Sequence, residues 1–106
     1  MKLKIITTTT NTLSNAKSIS KALIDNKLTP CVQILPNILS IYRWNNKIIN
    51  NNEFLMLIKS SENNLEPCKL IIEKYHNYDI PELIILDGDI IEDDYKTWFN
   101  EHSRKI

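Results

Sequence analysis

The sequence predicts an α+β domain in the order β-α-β-β-α-β, with one further helix at its C-terminal end. Three observations carry that expectation. Four segments read as short apolar strands, and three read as helices with one apolar side. A turn-forming Asn45-Asn46 pair separates two long strand-like runs, the pattern of an extended hairpin. The runs at residues 54–58 and 83–86 are apolar on both faces, which asks for a layer on each side of the sheet.

The elements follow in order. Residues 2–8 form the first strand, where Leu3 and Ile5 alternate with Lys2 and Lys4. The polar stretch at residues 9–12 offers a cap for a helix over residues 13–26. Ala16, Ile19, Leu23 and Leu28 lie near helical spacing, and Pro30 stops the helix. The second strand covers residues 31–35, is interrupted by Pro36-Asn37 and resumes over residues 38–44. The third returns from Lys47 to Lys59. A helix over residues 64–75 carries Leu65, Cys68, Ile72 and Tyr75 as its apolar stripe, with Pro67 confined to its first turn. Residues 76–81 are a loop, and residues 82–86 are the fourth strand, ended by Asp87-Gly88-Asp89. A last helix starts near Glu92-Asp93-Asp94 and sets Tyr95, Trp98, Phe99 and His102 on one side, with Arg104 and Lys105 at its end.

This order is the ferredoxin-like split arrangement, in which right-handed crossovers place both central helices on one face of a four-stranded antiparallel sheet. One short C-terminal helix is too small to cover the other face. A second copy of the chain is therefore expected there.

Composition narrows the function. A chain of 106 residues is read as one domain, 1–106. Its 13 basic and 13 acidic side chains balance, so nothing draws it to nucleic acid or to an anionic membrane. An RNA-binding sheet would expose aromatics in a Gly-containing pattern that residues 54–58 lack. No apolar run approaches the roughly 18 residues of a membrane span. Cys31 and Cys68 are too few for a disulfide framework, and no apolar leader precedes them, so a reduced cytoplasmic protein is expected. A single glycine excludes a Gly-rich phosphate loop, and no Cys-x-x-Cys motif serves a soft metal. No catalytic constellation stands out, and the chain is not read as an enzyme.

The candidate residues cluster in one loop. His76, Tyr78, Asp79 and Glu82 bring an imidazole, a phenol and two carboxylates together, fit to line a cleft for a cation or a small polar ligand. The same groups could instead tie down the turn before the fourth strand. Glu53 and Lys59 border the third strand and are expected to form an ion pair that holds the assembly. Trp44 and Trp98 read as packing anchors, and the cysteines as small buried hydrophobes. The acids at 87, 89 and 92–94 lack the ligand spacing of a calcium loop.

Several phrases resemble the CutA family: residues 26–32 (Asn-Lys-Leu-Thr-Pro-Cys-Val), residues 40–48 (Ser-Ile-Tyr-Arg-Trp-Asn-Asn-Lys-Ile), Glu53 with Lys59, and residues 76–82 (His-Asn-Tyr-Asp-Ile-Pro-Glu). Tyr95 and Trp98 fit as well. The resemblance covers essentially the whole chain. It implies a cytoplasmic ferredoxin-like homotrimer, similar in architecture to PII signalling proteins and linked to tolerance of divalent cations such as copper. It also implies a role for the 38–58 hairpin in assembly. An alternative is a PII-like protein that binds a small ligand without a metal. The chain departs from the family at Thr29-Pro30, at the turn Asn45-Asn46 and at Asn77. The family's copper positions fall on Thr8, Tyr75 and His76, of which only His76 can coordinate, so any Cu(II) or other divalent transition metal is expected to bind weakly.

Overall fold

A computed structural model describes residues 1–105 of the chain. The order is β1 (Lys2–Thr10), α1 (Leu13–Asp25), β2 (Cys31–Trp44), β3 (Lys47–Ser60), a 3-10 turn (Glu62–Asn64), α2 (Leu65–Tyr75), β4 (Ile84–Asp89) and α3 (Asp93–Glu101). The strands form one antiparallel sheet in the order β2-β3-β1-β4, the ferredoxin-like arrangement expected from the sequence.

The two faces of the sheet differ in cover. Ile6 on β1 and Met56 and Ile58 on β3 point to the helices and pack with Ala16, Ile19, Leu23, Leu28, Cys68 and Ile72. Met56 and Ile58 are completely buried there. On the opposite face α3 covers only one end, where Phe99 packs with Leu3 and Ile90. Beyond that end, Leu35, Ile84 and Leu86 of the same face stand exposed.

Local chemistry explains each boundary. Thr12 caps α1, its hydroxyl accepting a hydrogen bond from the Asn15 amide at 3.1 Å. The helix ends before Pro30, in a Schellman motif. Lys27 adopts a left-handed conformation with φ 57, its amide bonds to the Ile24 carbonyl, and the Leu28 amide bonds to that of Leu23. That reversal folds Leu28 back into the core.

β2 runs unbroken through Pro36-Asn37, because the irregularity is a bulge between Leu35 and Ile38 with Asn37 at φ 61. The bulge switches the side-chain alternation, so Leu35 and Ile38 share a face. The hairpin turn has φ 50 at Asn45 and φ 62 at Asn46, as a tight two-residue turn requires. Only residues from Phe54 onward on β3 pair with β1. The rest of the hairpin is a two-stranded arm, and the molecule is correspondingly long, 46 × 26 × 20 Å.

The fourth strand lies further along the chain than expected. Asp87, Gly88 and Asp89 continue it, opposite Lys4, Leu3 and Lys2. The basic residues of β1 supply the partners, with Lys4 Nζ 2.5 Å from Asp87. Gly88 leaves room for Leu3, whose Cδ2 would lie 3.0 Å from a Cβ there. Tyr75 leaves the predicted α2 stripe and is exposed. Arg104 and Lys105 lie past α3, and the Arg104 amide instead bonds to the Lys27 carbonyl.

Candidate functional site

A cleft of about 790 Å³ opens on the uncovered face, between the hairpin arm and the loop after α2. The arm contributes Tyr42, Trp44 and Glu53, and the loop contributes Tyr78, Asp79 and Glu82. Three of the four loop residues picked out in the sequence therefore line one cleft. His76 sits behind them.

Glu53 is the buried member, with 6% of its surface exposed. Its Oε2 accepts a hydrogen bond from the Tyr78 hydroxyl at 2.5 Å. Burial, and next the bond to Glu53, push the Tyr78 phenol well above its ordinary pKa, so it stays protonated. Glu82 accepts a bond from the Thr7 hydroxyl at 3.3 Å, and Asn51 steadies Tyr42 by donating to its hydroxyl at 2.5 Å.

His76 is a brace. It caps α2 and is buried. Its Nδ1 accepts from the Tyr78 amide at 3.1 Å, and its Nε2 faces the Thr9 carbonyl at 2.9 Å. An amide can only donate and a carbonyl can only accept, so the ring is the neutral Nε2–H tautomer. Burial lowers its pKa, against smaller opposing effects of the Thr9 carbonyl and Glu53. Both nitrogens are thus in use, and the ring has no lone pair free for a metal. Among the described residues, no group of three or more His, Cys, Asp or Glu side chains could hold a metal ion. The residues present do not fit the copper site expected at His76.

The sequence did not single out the residues that anchor this loop. Asn15 donates to the Tyr75 carbonyl at 2.8 Å and accepts from the Asn77 amide at 3.4 Å, while Asn11 accepts from the Asn77 side chain. Their positions at the start of α1 were the available signal, but nothing local names a partner some 60 residues away.

The expected Glu53–Lys59 pair does not form within the chain. The two stand six residues apart on β3, about 20 Å at the rise of a strand. Glu53 meets Tyr78, and Lys59 Nζ lies 5.8 Å from the centre of the Tyr95 ring. Cys31 begins β2 beside Lys59, while Cys68 is buried in the core on the other side of the sheet. Neither forms a disulfide.

The model of the CutA1 divalent ion tolerance protein family matches residues 4–102. The chain belongs to that family. The divalent-cation tolerance protein CutA of Thermus thermophilus is 32% identical over 88 residues, 83% of this chain and 85% of that one. The chloroplastic CutA protein of Arabidopsis thaliana is 34% identical over 88 residues, and the match spans 48% of its length. The crystal structure of CutA1 from Oryza sativa superposes with a TM-score of 0.93 at 28% identity, covering 100% of this chain and 97% of that one. Membership places the chain among non-catalytic proteins of divalent-cation tolerance. Among the described residues no helix is long and apolar enough to cross a membrane.

Proposed function

We propose that this CutA-family chain works as a homotrimer in divalent-cation tolerance, binding its ligand without transforming it. One observation carries the assembly: an apolar sheet face and an apolar arm are both left bare. Leu39 and Ile48, on the arm, are 60% and 64% exposed, and Ile84 and Leu86, on the sheet, are each 50% exposed. A two-stranded arm is marginally stable alone. Burying the exposed part of each such side chain gains roughly 1–2 kcal/mol. The arm and the open face are different surfaces, so fitting one to the other is a head-to-tail contact that closes into a ring. Three copies in the ring is the reading that the resemblance to the family supports. A cytoplasmic setting belongs to the same proposal. Its support is that Cys31 and Cys68 stand on opposite faces of the sheet and are free thiols.

Copper dependence through His76 is not part of the reading. A calorimetric Cu(II) titration is expected to give coincident curves for the wild type and His76→Ala. The functional test is growth under elevated Cu(II) of cells lacking their own CutA protein. Wild type restores tolerance and Leu86→Asp, built to be monomeric, does not; full rescue by a monomeric Leu86→Asp contradicts the trimer as the working form.

A second reading, a PII-like protein that holds a small organic ligand, is favoured by the cleft itself. Its volume falls within the range of small-molecule sites, and aromatic and charged groups converge on it.

A further inference from the structure

We propose that the cleft binds a small organic cation, a primary ammonium or guanidinium, with Glu53 as its counter-charge and Tyr42 and Trp44 as its aromatic walls. The proposal rests on the small-ligand reading above and names the class of ligand.

Glu53 carries a largely buried charge with a single donor, the Tyr78 hydroxyl, and no cation paired with it among the described residues. Glu53 lines the cleft and is more than nine-tenths buried. A carboxylate in that position is costly unless a cation or several donors satisfy it. Glu53 has one donor, the Tyr78 hydroxyl on Oε2; among the described residues Oε1 accepts no hydrogen bond and is not fully enclosed, so a ligand can reach it. No lysine or arginine among them forms an ion pair with it. Tyr78 stays a neutral phenol, and His76 stays a neutral imidazole because its bonds to the Tyr78 amide and the Thr9 carbonyl use both nitrogens.

The surroundings add to the deficit. Asp79 and Glu82 line the same cleft, and no basic residue among the described ones does. A concave site lined by one sign of charge concentrates ligands of the other sign. Tyr42, Trp44 and Tyr78 also line it, and an ammonium or guanidinium is attracted to such ring faces.

The chemistry favours an organic cation over a metal ion. A divalent metal ion needs several converging donors, and no such group occurs among the described residues. Lys59 of a second copy is the other source of charge. Within its own chain its ammonium lies by the Tyr95 ring, at the end of the face that α3 covers, and the Lys59→Met measurement below reads whether it reaches a neighbour's cleft.

Calorimetry on the intact chain tests this, with 1,4-diaminobutane as the probe and 1,4-butanediol as its uncharged isostere. The diamine is expected to bind and the diol to give no heat beyond dilution. Glu53→Gln keeps an acceptor for Tyr78 and removes the charge, and it should weaken the diamine about tenfold or more. Trp44→Ala should weaken it about threefold to tenfold. If Glu53→Gln fails to fold, the double change Asp79→Asn with Glu82→Gln replaces it, with a similar loss expected. Equal behaviour of diamine and diol, or undiminished binding to the folded charge-neutral variants, overturns the proposal. Lys59→Met should leave diamine affinity unchanged. A rise would show that Lys59 of a second copy holds the cleft, and would overturn it too. Light scattering on the same samples separates the two readings: a monomer that still binds the diamine retains the cation site and loses the trimer, whereas a trimer indifferent to it does the reverse.

Discussion

The helix face and the open face belong to the same four strands and have opposite fates. On the helix face, Met56 and Ile58 are wholly enclosed by α1 and α2. On the open face, residues of similar character stand half exposed: Leu86 at 50%, with Ile84 beside it on the same strand. Apolar content does not separate the two faces. What separates them is whether this chain supplies the covering layer, and it does so once over most of the face, leaving Ile85 at the edge, and once only at the α3 end. The first face is a matter of folding, the second of assembly.

Substitutions on each face should sharpen that contrast. The largest effect on the subunit is expected from Met56→Ala, which leaves a cavity in the closed core and should cost about 2–5 kcal/mol in chemical denaturation. Leu86→Asp should change the stability of an isolated subunit by only about 0.5 kcal/mol, while shifting the assembly to monomers in sedimentation. A large loss of subunit stability from Leu86→Asp would erase the distinction between the faces.

Smaller effects come from within the closed side. The Thr8 hydroxyl is buried with no hydrogen-bond partner. Thr8→Val keeps the shape and removes that cost, so its melting midpoint should rise, by about 1 kcal/mol of added stability. Lys27 holds a left-handed conformation that a side chain disfavours, and Lys27→Gly should stabilise by up to about 1 kcal/mol.

The smallest effect is a pH dependence at the brace behind the cleft. The folded pKa of His76 is depressed below its ordinary 6.5, chiefly by burial, and protonation would also set a second N–H against the Tyr78 amide. The unfolded chain therefore binds more protons just below pH 6.5. This contribution is complete above that pH and is lost as the pH falls towards the folded pKa. His76→Gln should flatten the acid limb of a stability–pH profile.

Much of the fold was legible because it rests on local signals. The helix stripes, the Asn45-Asn46 turn and the doubly apolar strands each lie within a few residues, and all three held except for Tyr75 at the end of α2. The misplaced parts depend on distant partners. Asp87-Gly88-Asp89 looks like a turn until Lys2 and Lys4 are placed opposite it. The end of α1 looked like the work of Pro30, but Lys27 adopts the left-handed conformation that reverses the chain first. In the site, the sequence picked out Tyr78, Asp79, Glu82 and Glu53, and the structure gathers them in one cleft. The sequence also suggested that Glu53 and Lys59 pair in the assembly; within one chain they stand six residues apart on β3, so such a pair would have to join two copies. His76 was read as a ligand because an imidazole is a good donor. That both its nitrogens are spent on backbone groups depends on how the loop folds back on β1.

Sedimentation equilibrium of the intact chain at micromolar concentration tests the contrast between the two faces most directly. A single species of three times 12.4 kDa is predicted. A stable 12.4 kDa monomer, with the open face bare in solution, would contradict it.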